Sequence, residues 1–211
     1  LKTKGDLGHW AVDSLNLEIF AGGIPGIAGV SGNGRDELTE ALYGLRPVSE
    51  GNIFLNGTPL TKCKTRNIID LGVGYIPADR HKEGLVLDMS VEENLVLKGF
   101  DLSPFSRKGI LQEGSIRQYA TQVIESYAIK TPTPDTPVRY LSGGNQQKVV
   151  IAREIAVARF LLIAVQPTRG LDIGSTEYVH QILLKARNDG RGVLLISTEL
   201  SEILSLSNRI S

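Results

Sequence analysis

Short runs of apolar residues, suited to buried strands, alternate along the chain with stretches in which apolar residues recur at helical spacing. The predicted buried strands are residues 24–30, 73–76, 160–168 and 192–197, and the third of these ends in a polar turn. The predicted helices are a stretch ending near residue 43, then 66–71, 90–127 with a break at 103–109, 149–158 and 173–187. The 211 residues are enough for one α/β domain with a hydrophobic core.

Two further segments carry the signals of antiparallel strands. Residues 11–20 alternate loosely between apolar and polar positions, which predicts a strand. Residues 51–58 place Asn56 and Gly57 between strand-like residues, which is a strong hairpin signal. We expect the hairpin and the first strand to form one small antiparallel sheet.

Basic and acidic residues balance at 23 each, so the formal net charge is zero. Composition therefore offers no electrostatic case for binding nucleic acid or an anionic membrane surface. The single cysteine, Cys63, excludes a disulfide within the chain. No apolar run approaches the roughly 18 residues of a membrane span. The chain begins without methionine, and residues 208–211 resemble the opening of another strand, so we expect a piece of a longer protein.

A glycine-rich loop follows the first predicted buried strand and opens a helix. Gly29 and Gly34 have the spacing of the P-loop motif G-x-x-x-x-G-K-[S/T], which binds nucleotide phosphates. The next two positions depart from the motif, because Arg35 replaces the lysine and Asp36 replaces the serine or threonine. Arg35 keeps a positive charge, whereas Asp36 adds a negative charge and an oxygen ligand for a hard cation. The alternative is a glycine turn in which an acid stabilises the first helical turn.

A second glycine motif follows a proline-rich loop and opens the helix predicted at residue 149. Ser142 suits the N-cap position, since its hydroxyl can accept one of the unpaired N–H groups of the first turn. Gly143 and Gly144 remove side chains where something approaches the backbone. A helix N-terminus of this kind can bind an anion. The simpler interpretation is a capped helix after a loop.

The string Leu-Ser-Gly-Gly-Asn-Gln-Gln-Lys at residues 141–148 resembles the signature motif of ABC-type ATPases. Together with Gly-Asn-Gly-Arg-Asp-Glu-Leu and Ile-Pro-Ala-Asp-Arg, it resembles the second ATP-binding domain of the fused two-domain ATPases that power bacterial sugar and nucleoside importers. The resemblance implies an α/β P-loop NTPase fold, with a mainly parallel sheet, flanking helices and a small antiparallel sheet. It further implies a RecA-like core at about 1–87 and 141–211 and a helical subdomain at about 88–140.

The resemblance assigns roles to further positions, several of which have lost the expected residue. In the family, a Q-loop glutamine senses Mg²⁺ and water beside the membrane partner, and Ala78 stands at its position. The Walker B aspartate and glutamate are replaced by Val165 and Gln166, and the switch histidine by Thr198. Valine cannot bind Mg²⁺, and glutamine can orient water but cannot accept its proton. Asp172 matches the D-loop, where the resemblance makes it available to the opposite subunit. The simpler role is the N-cap of the helix predicted over 173–187, and the two roles are compatible.

The predicted site residues fall into three groups. The nucleotide-binding group includes Trp10 (or His9) as an aromatic that would stack on adenine, although a lone tryptophan is more often part of the packing. This group is Trp10, Gly29, Ser31, Gly32, Asn33, Gly34, Arg35, Asp36 and Glu37. The signature group is Leu141, Ser142, Gly143, Gly144, Asn145 and Gln146. The Q-loop group, expected to contact a partner, is Ala78, Asp79 and Arg80, with a solvated loop as the alternative.

These features predict a nucleotide-binding domain whose own site is degenerate and whose signature motif serves the ATP site of a partner domain. The expected ligand is ATP or ADP, with Mg²⁺ in the partner site, while the altered positions weaken the case for Mg²⁺ in this one. The implied partners are an N-terminal ATPase domain of the same chain, membrane permease subunits and, indirectly, a solute-binding protein, at the cytoplasmic face of the membrane. One alternative is a structural docking domain that binds no nucleotide. Another is a soluble ABC protein of DNA repair or translation, which the neutral charge disfavours.

Overall fold

The computed structural model describes residues 1–29 and 34–210 as alternating strands and helices. The strands are β1 Thr3–Lys4, β2 Trp10–Val12, β3 Pro25–Ala28, β4 Phe54–Leu55, β5 Thr58–Pro59, β6 Val73–Ile76, β7 Ser106–Arg107, β8 Ile110–Leu111, β9 Leu161–Val165, β10 Gly192–Ser197 and β11 Arg209–Ile210. The helices are α1 Arg35–Leu42, α2 Thr65–Asp70, α3 Val91–Val96, α4 Glu113–Ser126, α5 Gly143–Val157, α6 Ile173–Asn188 and α7 Leu200–Leu206.

The chain divides into two compact units. The first unit comprises Leu1–Tyr75, Ala158–Gln166 and Leu183–Ser211. The second unit comprises Ile76–Val157 and Pro167–Ile182. The subdomain boundaries at residues 87 and 141 inferred from the sequence remain a prediction.

The first unit is built on a five-stranded sheet in the order β11-β3-β10-β9-β6. β10 pairs in parallel with both β3 and β9, and β11 pairs in parallel with β3. Residues 162–165 of β9 and 193–196 of β10 are almost completely buried. Continuous apolar runs of this kind suit a central strand that is covered on both faces. The predicted α/β fold with a mainly parallel sheet is confirmed.

The antiparallel elements are smaller than the sequence indicated. The strand predicted over 11–20 is only β2, Trp10–Val12, which pairs with β1. The ladder ends there because Ser14 has a left-handed backbone conformation, with φ 57°. The hairpin of β4 and β5 turns at Asn56 and Gly57 as predicted, but it forms its own two-stranded sheet. The prediction that it would join the first strand in one sheet was wrong.

The second unit is mainly helical, and α3 packs against both α4 and α5. The predicted capping box at the start of α3 is present, because Ser90 Oγ accepts from the Glu93 amide at 3.1 Å and Glu93 Oε2 accepts from the Ser90 amide at 2.8 Å. The predicted break between helices contains a short hairpin of β7 and β8. Inside the unit, the fully buried carboxylate of Glu154 binds both Arg153 and Lys98. Paired burial of this kind fixes α5 against its neighbours.

The polar segment 77–85, predicted as a loop, contains a single π-helical turn at Arg80–Gly84. The side chain of Asp79 caps this turn by accepting from the amides of His81 and Lys82 at 3.0 and 3.1 Å. These hydrogen bonds, first that from Lys82, lower the pKa of the Asp79 carboxyl. A charged cap thus gives the segment a defined shape, which sequence composition alone did not reveal. Among the residues that the structure describes, no helix is long and apolar enough to cross a bilayer.

Candidate functional site

In the first unit, the carboxyl ends of β3, β9 and β10 bring three predicted site regions together. Gly29, which follows β3, donates its amide to the Ser197 carbonyl at 3.4 Å. Gln166, which follows β9, donates its amide to the Ile196 carbonyl at 2.7 Å. In open α/β sheets, ligands bind beside this edge of the sheet. The predicted P-loop and Walker B positions therefore meet where a nucleotide site is expected.

Arg35, at the first position of α1, is directed into the protein and only 6% of its surface is exposed. Its Nη1 donates to the Gly29 carbonyl at 3.3 Å. In the amide orientation that satisfies both groups, Gln166 Oε1 accepts from Arg35 Nη1 at 3.0 Å and from Nη2 at 2.7 Å. Arg35 and Gln166, which the sequence aligned with the P-loop lysine and the Walker B glutamate, thus bind each other. The sequence flagged both residues separately and gave no sign of this pairing.

Gly34, the residue before α1, has a backbone conformation and surroundings that only glycine fits. Its φ is +77°, in the left-handed region that glycine adopts without strain. A Cβ atom at this position would lie 1.8 Å from the Ala11 carbonyl oxygen. Glycine is therefore required by the chain's own backbone. Ser31, Gly32 and Asn33 lie outside the described residues.

The residues at the end of β9 do not fit a Mg²⁺ ion. Val165 is apolar and 1% exposed, and the amide oxygen of Gln166 already accepts from Arg35. Mg²⁺ requires oxygen ligands, usually one or two carboxylates together with substrate phosphates. Within 1–29 and 34–210, no group of three or more histidine, cysteine, aspartate or glutamate side chains is placed to hold a metal. Asp36, at the serine or threonine position of the P-loop pattern, has an exposed carboxylate whose Oδ1 lies 3.5 Å from Arg35 Nε.

The remaining predicted residues of the first unit lie at its surface. The Trp10 ring is 42% exposed and is flanked by Lys2 and Lys4, whose Nζ atoms lie 5.5 and 5.3 Å from its centroid. An exposed indole beside two ammonium groups could stack on a base and attract a phosphate. Thr198 is exposed at the end of β10. Glu37 is partly exposed, and its carboxylate lies close to Gly5, as does the ring of His9.

In the second unit, the signature motif forms the start of α5. Ser142 is exposed, and its hydroxyl oxygen accepts from the Asn145 amide at 3.5 Å and from Asn145 Nδ2 at 2.9 Å. The hydroxyl therefore caps the helix as predicted. Leu141, just before it, is buried. The 15-residue α5 leaves its first N–H groups beside this exposed hydroxyl.

Gly143 and Gly144 are each approached by a side chain of the same unit. A Cβ atom on Gly143 would lie 2.9 Å from Arg80 Nη2. A Cβ atom on Gly144 would lie 2.4 Å from the hydroxyl oxygen of Ser175. The close approach that two consecutive glycines predict is thus present inside one chain. Sequence reading missed Ser175, although a serine three residues after a helix-capping aspartate is a usable signal.

The two glutamines of the motif are buried and hold neighbouring segments. Gln146 Nε2 donates to the Val138 carbonyl at 3.0 Å, and its Oε1 lies 2.7 Å from His81 Nε2. Gln147 Nε2 donates to the Pro167 carbonyl at 2.7 Å. These amides therefore tie α5 to the π-helical turn and to the segment after β9.

Asp172, the predicted D-loop residue, caps α6. Its Oδ1 accepts from the Ser175 amide at 2.9 Å, and its Oδ2 accepts from the Ser175 hydroxyl at 2.7 Å. The Ser175 amide bond, followed by the hydroxyl bond, lowers the pKa of the Asp172 carboxyl. The capping role is confirmed, and a role toward an opposite subunit remains a prediction.

Comparisons with known proteins identify the family of the chain. The family model described as ABC transporter matches residues 12–169. The chain is 47% identical over 211 residues to the guanosine import ATP-binding protein NupO of Bacillus subtilis, covering 100% of this chain and 41% of the relative. It is 41% identical over 207 residues to the glucose import ATP-binding protein TsgD13 of Haloferax volcanii, which covers 97% of this chain and 38% of that relative. The chain thus spans about two fifths of the length of the curated relatives it matches.

Solved structures support the fold. A dimeric ATP-binding cassette bound to ADP and Pi superposes with a TM-score of 0.80 at 24% identity, covering 99% of this chain and 92% of the other. A nucleotide-free cassette from an ABC transporter gives a TM-score of 0.80 at 19% identity, covering 99% of this chain and 85% of the other. At this identity the likeness speaks for the fold alone. The match of the family model over most of the sequence establishes that this chain belongs to the ABC transporter family.

Proposed function

We propose that this chain is a nucleotide-binding domain of an ABC importer for sugars or nucleosides, with a degenerate site of its own and a signature motif that serves a partner domain's ATP site. The single observation that carries the proposal is the pairing of Arg35 with Gln166. Arg35, at the position that would bind phosphate, and Gln166, at the position that would activate water, are hydrogen-bonded to each other. At the same time, the signature loop keeps an exposed serine hydroxyl, that of Ser142, at the start of α5.

The degenerate site supports binding better than hydrolysis. No carboxylate stands at the end of β9 to act as a base, because Val165 and Gln166 occupy those positions. Exposed Trp10 with its two lysines supports contact with the base of ATP or ADP. Mg²⁺, which stabilises charge on a transferring phosphoryl group, is expected in the partner site.

The signature loop supports a contribution to that second site. In ABC ATPases, which the sequence resembles, two domains face each other head to tail, so Ser142, Gly143 and Gly144 would meet the γ-phosphate held by the partner. A helix N-terminus favours negative charge, and a hydroxyl with backbone N–H groups can donate to phosphate oxygens. Donors of this type are typically worth roughly 3–4 kcal/mol, or two to three decades in rate.

The proposed setting is a two-domain ATPase in which this chain is the second domain, beside an N-terminal ATPase domain. The coverage of about two fifths of each relative supports a longer protein. The relatives' names, among them guanosine, nucleoside, glucose and ribose import proteins, support sugars and nucleosides as the solute class. Membrane permease subunits and, indirectly, a solute-binding protein would complete the transporter, with this domain on the cytoplasmic face of the membrane.

The test uses the full-length two-domain protein assembled with its membrane partners. We expect Gly144→Asp to abolish ATP turnover and transport, because the new carboxylate would repel the negatively charged phosphate. Gly144→Asn is the matched control, since its side chain meets Ser175 equally but carries no charge. Asp36→Ala, in this domain's own P-loop, should leave much of the activity. A stronger loss from Asp36→Ala than from Gly144→Asp would show that this domain's own site is the working one.

A second candidate, a docking domain that binds no nucleotide, is favoured by the same Arg35–Gln166 pair. If the pair never opens, the phosphate site stays closed. Titration of the chain with ATP, with and without Mg²⁺, separates the two. Quenching of the single tryptophan, Trp10, gives a direct signal because the ring is exposed. Saturable quenching supports nucleotide binding, and an unchanged signal together with no heat in calorimetry supports the docking domain.

A further inference from the structure

Arg80 links two motifs that lie far apart in the sequence. Its Nη1 donates to the carbonyl of Arg169, 89 residues away, at 2.9 Å. Its Nη2 fills the space beside Gly143, where a Cβ atom would lie only 2.9 Å away. The guanidinium group of Arg80 therefore touches the signature motif on one side and the segment leading into the D-loop on the other.

The guanidinium group is held there at a cost to stability. Arg80 Nε is shielded from solvent, and it has no hydrogen-bond partner within residues 1–29 and 34–210. A shielded polar group that lacks a partner typically destabilises a fold by about 1–3 kcal/mol. Desolvation by burial lowers the pKa of Arg80 below that of an ordinary arginine; the charge of Asp79 opposes this shift and that of Arg169 adds to it. An arginine kept in such surroundings is poorly explained by stability alone.

The turn that carries Arg80 is itself fixed to α5. The ring of His81 lies 2.7 Å from Gln146 Oε1, and Arg153 Nη2 donates to the Gly84 carbonyl at 2.6 Å. The side chain of Asp79 caps the turn on its other side. Arg80 is therefore presented to Gly143 from a rigid support. The planar guanidinium presents its N–H donors in a fixed fork that reaches two sites in a defined geometry, whereas the lysine ammonium is a compact charge on a flexible stem.

We propose that Arg80 is a positioning residue that holds Gly143 and the Arg169–Gly170 segment in the arrangement needed for ATP turnover at the partner domain's site. This inference rests on the proposed function, because it concerns the same signature loop. Arg80 sets the direction of the Ser142 hydroxyl and of the first N–H groups of α5 by filling the space beside Gly143. Loss of such positioning by about 1 Å can cost about 100-fold in rate.

The decisive measurement compares turnover with stability in the full-length protein assembled with its membrane partners. We expect Arg80→Met to lower kcat and kcat/KM for ATP equally, by about 10- to 100-fold, because positioning acts in the transition state. The melting temperature should stay the same or rise, since the shielded Nε is removed. Arg80→Lys should recover part of the rate, as it can still donate to the Arg169 carbonyl. Lys185→Met, an exposed lysine of α6, is the control for loss of a positive charge.

Each outcome decides the matter. A fall in melting temperature with an unchanged rate would make Arg80 a purely structural residue and overturn the inference. An unchanged rate and stability would overturn it as well. If Arg80→Met does not fold, the equal fall of kcat and kcat/KM in Arg80→Lys carries the test. Gly144→Asp is measured alongside. If this variant keeps its ATP turnover, the proposed function fails. If Gly144→Asp loses turnover but neither Arg80 variant does, only the role of Arg80 is overturned.

Discussion

Arg35 donates two hydrogen bonds to the side-chain oxygen of Gln166, at 3.0 and 2.7 Å. In the sequence these residues are two independent departures from an ATPase motif, one at the phosphate-binding lysine and one at the catalytic glutamate. In the structure they are one contact, made at the edge of the sheet where a nucleotide would lie. The two departures are therefore physically complementary.

The pair should stabilise the first unit. Arg35→Met leaves the Gln166 amide and the Gly29 carbonyl without their donor, and we expect a loss of about 1–3 kcal/mol in the free energy of unfolding. Gln166→Met should cost a similar amount. The double variant should cost less than the sum, with a coupling of at least about 0.5 kcal/mol. Urea unfolding of the four proteins measures this, with Lys185→Met as an exposed control. Strict additivity would show that the pair contributes nothing.

The 211-residue chain by itself should show negligible ATPase activity. It has no carboxylate at the end of β9, where Val165 is 1% exposed and Gln166 is bound by Arg35. Loss of the base and of the metal ligand together typically removes several powers of ten in rate. Phosphate release is measured in two preparations, each purified through a different tag. Turnover at about one per second or faster in both preparations would contradict it.

Arg35→Lys alone should not create activity. The carboxylates missing at Val165 and Gln166 and the imidazole missing at Thr198 are not restored, and such groups act as a unit. A lysine cannot form the paired hydrogen bonds to Gln166, so the variant should be slightly less stable than the parent chain. The assay compares phosphate release and urea unfolding in both proteins. A large gain in rate would show that the end of β9 has been assigned to the wrong residues.

The cap of α6 should give the protein a pH-dependent stability increment. The pKa of Asp172 is lowered in the folded protein by its bonds from Ser175. The charged form therefore stabilises the fold above the unfolded pKa of about 3.9, and this contribution disappears as pH falls through the lower folded pKa. Asp172→Asn should be less stable than the parent at pH 6, and the difference should narrow as the pH falls below about 3.9 toward the folded pKa.

Unfolding curves across this pH range test the Asp172 prediction. Glu18→Gln, which removes an exposed carboxylate from an irregular segment, is the control. The two pH profiles should differ in shape, because only Asp172 accepts hydrogen bonds from the first turn of a helix. A gap between the parent and Asp172→Asn that is equally large at pH 3 would contradict the charge-based explanation.

Local signals in the sequence located most of the fold. The Ser90–Glu93 capping box and the Asn56–Gly57 turn depend on residues within four positions of one another, so their geometry follows from spacing alone. Parallel strands such as β10 were recognised because their apolar runs are continuous. The extent of β2 was missed, because one left-handed residue, Ser14, ends the ladder and no propensity scale marks a serine for this.

The contacts within the candidate site could not be read in the same way. The side chain of Arg80 reaches Arg169 across 89 residues, and it does so from a π-helical turn whose sequence is typical of an exposed loop. Which donor meets which acceptor depends on how the two segments are folded against each other. Gly143 and Gly144 predicted a close approach to the backbone, but the sequence did not predict that Arg80 and Ser175 are the side chains that make it.

The Arg35–Gln166 contact would also make the loss of an active site hard to reverse in evolution. A lineage that first regains lysine at position 35 gives up the paired hydrogen bonds and gains no catalysis. A lineage that first regains glutamate at position 166 places a carboxylate against Arg35, and the resulting ion pair holds that carboxylate away from water and substrate. Each single step is therefore neutral or harmful, and recovery requires simultaneous changes at several positions. If the proposed function is correct, the contact would therefore keep the domain in its supporting role even where single mutations restore one of the lost residues.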